Sequence, residues 1–302
     1  QPQIDETEGR VMVSSARLDN RDDLLEELHI PNGEWLTLPD TGLVFRAFQE
    51  WGESCASHLI GDWIAAVWNP TLQRLWIGRD PAGGCGIYYY QSDRFLVFAS
   101  SFKGLFAIPQ VPRQPNPLKV SQVLVSWNES GPETVYQGIY RLPPAHTLVL
   151  SGHRVVTTRY WYLENTPRLR LGSDDEYIET FFGLFKRAVS VRLRSPRPVG
   201  ILLSGGLDSG SVASLAATEL GLHSQRLTAL TSVPLYDTLS NTTQGRVFDE
   251  TPMIEATQRF LGNIDLHFIQ SREVTLVEGM TAALHLHGQP KHAASNTFWI
   301  VS

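Results

Sequence analysis

The stretch Val199-Gly200-Ile201-Leu202-Leu203-Ser204-Gly205-Gly206-Leu207-Asp208-Ser209 constrains this chain more than any other. Val199 to Leu203 is a short, nearly continuous apolar run, the pattern of a parallel strand covered on both faces. Ser204, Gly205 and Gly206 supply a sharp turn, because glycine reaches backbone angles closed to other residues. From Gly210 to Leu220 a helix is predicted, with Val212, Leu215, Ala216 and Leu220 on one face and Gly221 as its stop. Strand, glycine turn and helix in that order aim several backbone N–H groups at one point, which makes an anion site. Ser204 and Ser209 add hydroxyl donors. Asp208 would repel a phosphate unless a Mg²⁺ lay between them.

The neighbouring sequence repeats the alternation. Ser173-Asp174-Asp175-Glu176 is a capping box ahead of a helix carrying Ile178, Phe181, Phe182, Phe185, Val189 and Leu193. Arg226 to Val233 reads as a second strand. Asp249 then caps a helix with Pro252 in its first turn and Gly262 at its end. Ile264 to Ile269 reads as a third strand, and Val274 to His287 as a helix. Such a series predicts a parallel sheet with ligands at the carboxyl ends of its strands. The first half differs. Hairpins are predicted around Asn69-Pro70-Thr71, around Gln91 to Arg94 and at Ser151-Gly152, with Trp63, Trp68 and Trp76 filling a sandwich between sheets. Two helices accompany them, one capped by Asp19 or Asn20 and one by Asp40 or Thr41. Asn165 to Gly172 is the predicted boundary, giving domains 1–165 and 172–302.

Composition narrows the classes. A net charge of −6, with no dense basic cluster, excludes a protein that coats nucleic acid. No signal peptide or membrane span is visible, and two isolated cysteines, Cys55 and Cys85, make neither a disulfide framework nor a zinc site. A reducing cytoplasm is therefore expected. His285, His287 and His292 read as solvated or packed side chains rather than metal ligands, and Arg79 and Asp80 as a structural pair.

Ser204 to Ser209 resembles the Ser-Gly-Gly-x-Asp-Ser loop of the ATP pyrophosphatases, and lacks the Lys of a Walker A loop. Arg79-Asp80-Pro81-Ala82-Gly83 followed by Ile87-Tyr88-Tyr89, Leu59 to Trp63, Leu142 to His146, Tyr160-Trp161 and Phe248-Asp249-Glu250 surround it in a fixed order. Together these resemble the asparagine synthetase family. The resemblance implies a mixed α/β chain, an N-terminal αββα glutaminase-like sandwich followed by a parallel-sheet ATP pyrophosphatase domain. It implies ATP and Mg²⁺ as cofactors, adenylation of a small-molecule or peptide carboxylate, release of pyrophosphate, and attack by an amine, with glutamine as its source. By the same resemblance Leu203, Ser204, Gly205, Gly206, Leu207, Asp208, Ser209, Gly210 and Thr231 hold the nucleotide, Asp208 acting through the metal, and Asp40 holds the glutamine amine. A homodimer, without nucleic acid or membrane partners, fits the family.

Several positions depart from the family pattern. The family's glutaminase nucleophile is an N-terminal Cys, and residue 1 here is Gln. Its Asn-Gly-Glu oxyanion segment falls near Ser15-Ala16-Arg17, Gly42 stands where an acidic residue is usual, Gly86 replaces a Pro, and Gly210 replaces a Ser. The family's Gly-x-Gly-x-Asp-Glu segment does not occur before Ser302. The chain is thus expected to be truncated at both ends and not to turn over alone. Ser15-Ala16-Arg17-Leu18-Asp19-Asn20-Arg21 resembles the divergent branch that includes lasso-peptide cyclases, which use an amine of the substrate itself. Three readings follow: an amidating ligase, a macrolactam cyclase with a decayed glutaminase half, and a non-catalytic docking module that keeps the fold.

Overall fold

The computed structural model describes residues 2–125, 131–234, 249–270 and 275–289. Two compact units divide at Pro167 and Arg168, with Leu284–His292 grouped with the first. Phe248, Val274, His292 and the end of the chain lie outside the described residues. Among the described residues no helix is long and apolar enough to cross a membrane.

The first unit contains β1 (Gln3–Ile4), β2 (Val11–Leu18), α1 (Arg21–Glu27), α2 (Asp40–Trp51), β3 (Gly61–Asn69), β4 (Arg74–Arg79), β5 (Tyr88–Gln91), β6 (Leu96–Ala99), α3 (Phe102–Leu105), α4 (Pro117–Leu124), β7 (Ile139–Arg141), β8 (His146–Ser151) and β9 (Arg154–Arg159). Its strands form two antiparallel sheets, of order β1-β2-β3-β4-β8-β9 and β6-β5-β7. Side-chain alternation sorts the layers. Along β3, Trp63, Ala65 and Val67 join Leu24, Leu43 and Phe48 of α1 and α2, while Ala66 and Trp68 face the second sheet with Ile77, Ile87 and Leu148. Phe102 and Leu105 of α3 cover the outer face of that sheet, against Tyr88 and Tyr90. The result is the αββα layering.

The alternation also corrects the placement of the tryptophans. Trp63 and Trp76 pack in the helix layer, and only Trp68 packs on the side between the sheets. Trp76 pairs in register with Val67, and opposed residues share a face. The helix caps differ too. Asn20 stands at the N-cap of α1 as expected, but its side chain makes no cap bond: its amide accepts from Ile60 N–H (3.0 Å) and donates to His58 O (2.9 Å). Asp40 is the first residue of α2, not its cap. Arg79 and Asp80, both buried, bind backbone. Arg79 donates to the carbonyls of Leu142 (2.6 Å) and Gly83 (2.8 Å), and Asp80 accepts from Gly84 (2.9 Å) and Cys85 (3.2 Å).

The second unit contains α5 (Asp174–Arg192), β10 (Gly200–Leu202), α6 (Leu207–Leu222), β11 (Leu227–Ser232), α7 (Thr251–Leu261), β12 (Ile264–Ile269) and most of α8 (Leu276–His287). Its three strands among the described residues are parallel, in the order β10-β11-β12. Leu203, Ala213, Ala217, Leu227, Ala229 and Ile254 form its core. Three expectations change here. β10 is an edge strand of three residues, and Leu202 is 56% exposed, so the run is not covered on both faces. α6 starts at Leu207 rather than Gly210 and runs through Gly221; it ends where Ser224 turns to φ +56°. The apolar face of α5 is buried only at its C-terminal turns. Val189 is buried and Phe185 and Leu193 pack beside it, whereas Ile178, Phe181 and Phe182 are exposed, because the core shared with α6 begins at Phe185. Ser173 caps α5 as predicted, accepting from Glu176 N–H (3.3 Å), but the Glu176 carboxylate binds Gly172 N–H (2.9 Å), one residue before the cap. Gly262, at φ +76°, ends α7 as predicted.

Gly61 has φ +136°, and a Cβ there would collide with the Arg17 carbonyl of the neighbouring strand. Gly61→Ala should cost about 2–4 kcal/mol of stability, against under ~0.5 kcal/mol for Gly33→Ala, which meets open space. Urea unfolding followed by tryptophan fluorescence reads the first unit, since every tryptophan but Trp299 precedes residue 165.

Candidate functional site

The loop leaves β10 at its carboxyl end. Leu203 N–H still donates to Leu230 O (2.9 Å), and the Leu203 carbonyl accepts the Thr231 hydroxyl (3.0 Å). Thr231 is fully buried, so its side chain braces the start of the loop from within the sheet. The loop then closes on itself. Ser204 N–H donates to Ser209 Oγ (3.2 Å), the two serine oxygens lie 2.8 Å apart, and Gly206 N–H donates to Ser204 Oγ (3.3 Å). These short bonds hold both hydroxyls at the loop mouth, where Ser204 is exposed.

Gly206 is the N-cap of α6, and no side chain caps that end. The first N–H groups of a helix have no partner within it. Gly210 N–H already donates to Gly206 O (3.1 Å), which removes Gly210 from the predicted donors. The N–H groups of Leu207, Asp208 and Ser209 have no partner among the described residues, and the helix dipole adds to their pull on an anion. Gly205 N–H is taken by Glu250 Oε2 (2.9 Å), although 45 residues separate them. Nothing local in the sequence signals that bond. Asp249, the expected cap of α7, accepts from Thr251 N–H (3.0 Å), and its hydrogen bonds to the Thr251 side chain and backbone hold its carboxyl below the ordinary range. The N-cap position itself belongs to Glu250.

The donor set fits a phosphate chain: three open N–H groups and two hydroxyls around one helix start. Asp208 is exposed, and among the described residues no group of three His, Cys, Asp or Glu side chains could hold a metal ion. A lone carboxylate suits Mg²⁺ that arrives with phosphates and keeps its waters, rather than a metal caged by protein.

In the first unit, a cavity of about 360 Å³ is lined by Ser14, Ser15, Cys85, Gly86, Phe98 and Ser100 among others. It unites Ser15 and Cys85, which the sequence singled out separately. Burial, then the charges of Asp80 and Asp62, push the Cys85 thiol up. Cys55 is fully buried, and burial pushes its thiol up to about 12. Asp40 lies outside this lining. Its carboxylate accepts from Leu18 N–H (2.8 Å) and from Arg21 (2.8 Å), and Arg21 also donates to the carbonyls of Trp35 and Leu38. The pair joins β2, α1 and α2.

Residues 1–161 match the glutamine amidotransferase domain family, and residues 181–301 the asparagine synthase family. The chain belongs to the asparagine synthetase family. It is similar to asparagine synthetase [glutamine-hydrolyzing] 3 of Bacillus subtilis, 30% identical over 68% of this chain and 33% of the relative. It is also similar to amidase chry2 of Gibberella zeae, 30% identical over 79% of this chain and 36% of the relative. Asparagine synthetase [glutamine-hydrolyzing] 2 of Bacillus subtilis is 29% identical over 74% and 31%. The chain thus spans about a third of the length of these relatives.

For an asparagine synthetase family member, the thiols of this chain are quiet. A thiolate is the reactive form, and a raised pKa leaves little of it near neutral pH. With iodoacetamide at pH 7.5, Cys85 should react at least about tenfold more slowly than free cysteine, and Cys55 only after denaturation. Peptide mass spectrometry over time reads both. Alkylation of Cys85 should rise with pH, since its folded pKa lies above the ordinary thiol value.

Proposed function

We propose that this chain is the ATP-handling part of an amide-forming ligase that activates a carboxylate as its adenylate. The observation that carries the reading is the set of three open backbone donors at the start of α6, the N–H groups of Leu207, Asp208 and Ser209, beside the mutually bonded hydroxyls of Ser204 and Ser209. In the reaction a carboxylate oxygen bonds to the α-phosphorus of ATP while the bond from that phosphorus to the bridging oxygen breaks. Negative charge grows on the departing pyrophosphate. Donors already aimed at that position stabilise it more than they stabilise bound ATP, which is how they lower the barrier. Mg²⁺ held at Asp208 would neutralise part of the same charge. An amine then attacks the acyl carbon and AMP leaves.

Membership of residues 1–161 in the glutamine amidotransferase domain family supports glutamine as the nitrogen source. A second reading, in which the amine belongs to the substrate as in a macrolactam cyclase, is favoured by one specific observation. The Asp40 carboxylate, which the family resemblance assigns to the glutamine amine, is bonded to Leu18 and Arg21.

The test is pyrophosphate release by the complete protein with ATP and candidate carboxylates. Asp208→Ala should lower the rate at least about 100-fold, and Ser209→Ala about tenfold. Wild-type rates in Asp208→Ala would sink the ligase reading. Glutamate release coupled to product separates the two nitrogen sources.

A further inference from the structure

We propose that Glu250 is a positioning residue for the nucleotide loop: from the N-cap of α7 it holds Gly205 N–H and so fixes the curl that turns the next three N–H groups toward phosphate. The inference rests on the reading of Ser204 to Ser209 as the ATP loop, and it assigns a task to a residue outside that loop.

Three observations converge. The first is the bond itself, from Gly205 N–H to Glu250 Oε2 at 2.9 Å, partly buried and bridging two elements. The second is close approach. A Cβ on Gly205 would stand 3.0 Å from Glu250 Cβ and 3.0 Å from Met253 Sδ, so the first turn of α7 lies directly against the loop, and only glycine leaves room for it. The third is how the other loop donors are used. Ser204 and Gly206 N–H are satisfied inside the loop, by Ser209 and Ser204. Gly205 N–H is the loop donor served from another element among the described residues.

A carboxylate beside a phosphate site is electrostatically costly unless it does something the site needs. Here it engages one peptide N–H and thereby sets the orientation of the peptide plane between Ser204 and Gly205. The Ser204 hydroxyl and the start of α6 both follow from that plane. A charged acceptor on a backbone N–H is among the stronger neutral-donor bonds, and it holds the plane in place before ATP arrives. Preorganisation of this kind raises affinity by removing the ordering cost at binding.

The hydrogen bond, not the charge, is the working part. Glutamine keeps an acceptor oxygen at the same reach, and alanine does not. The experiment is calorimetric titration of the complete protein with MgATP, for wild type, Glu250→Gln, Glu250→Ala and Met253→Ala. Thermal midpoints of the apo proteins run alongside, so that a folding defect is seen separately. The expected result is a Kd about tenfold weaker in Glu250→Ala. Glu250→Gln and Met253→Ala should stay within about twofold of wild type. A Kd unchanged in Glu250→Ala overturns the inference. So does equal loss in Glu250→Gln, which would make the charge the working part, or equal loss in Met253→Ala, which would reduce Glu250 to packing. If the wild type binds no MgATP, the ATP reading itself fails and takes this inference with it.

Discussion

The second unit depends on a deficit: the first N–H groups of α6 have no partner within the helix. Every helix start has this problem, and most solve it with a side-chain cap. Here the cap position is Gly206, which has no side chain to offer. The structure satisfies the donors that lie deeper in the loop and leaves the outer three open. Gly205 is held by Glu250, Ser204 by Ser209, and Gly206 by Ser204. Such selective satisfaction is what the proposed ATP loop requires, since an ATP-dependent ligase needs open donors where its leaving group departs.

In the first unit, buried charge serves the scaffold. Asp40, Arg79 and Asp80 are all nearly or fully buried, and their described bonds run largely to backbone groups or, for Asp40, also to Arg21. A buried charge is tolerated when hydrogen bonds replace its water. Arg79 and Asp80 tie the turn after β4 to the segment before β8, and Asp40 ties β2 to two helices. The cavity beside Ser15 and Cys85 lies between the layers these ties hold, but its thiol is not activated. The two units thus differ in readiness: the second presents open donors, whereas the first presents a shaped space without an activated nucleophile among its described residues.

Much of this was legible in the chain. The βαβ order, the hairpins and the Ser204–Ser209 loop follow from periodicity and turn chemistry, which are local. Gly262 and Ser173 behave as their sequence context demands. The misses share a cause, since each depends on what lies across from a residue. The apolar run of β10 reads as buried, but its edge position leaves Leu202 exposed. Phe181 and Phe182 continue a helical stripe whose packing begins only at Phe185. Asn20 and Asp40 look like caps, but their side chains reach Ile60 and Leu18. Glu250 sits beside an aspartate that explains itself locally, while its own partner is 45 residues away. The family resemblance implies a nucleotide contact at Thr231, whereas its buried hydroxyl supports the Leu203 carbonyl.

The most direct test of the account is a titration of the ¹⁵N-labelled chain with pyrophosphate, followed amide by amide. The account predicts that the Leu207, Asp208 and Ser209 N–H signals move together and saturate with one affinity. Gly210, already bonded within α6, should move far less. Signals at Leu207 to Ser209 that stay fixed while pyrophosphate binds elsewhere, or does not bind, would contradict it.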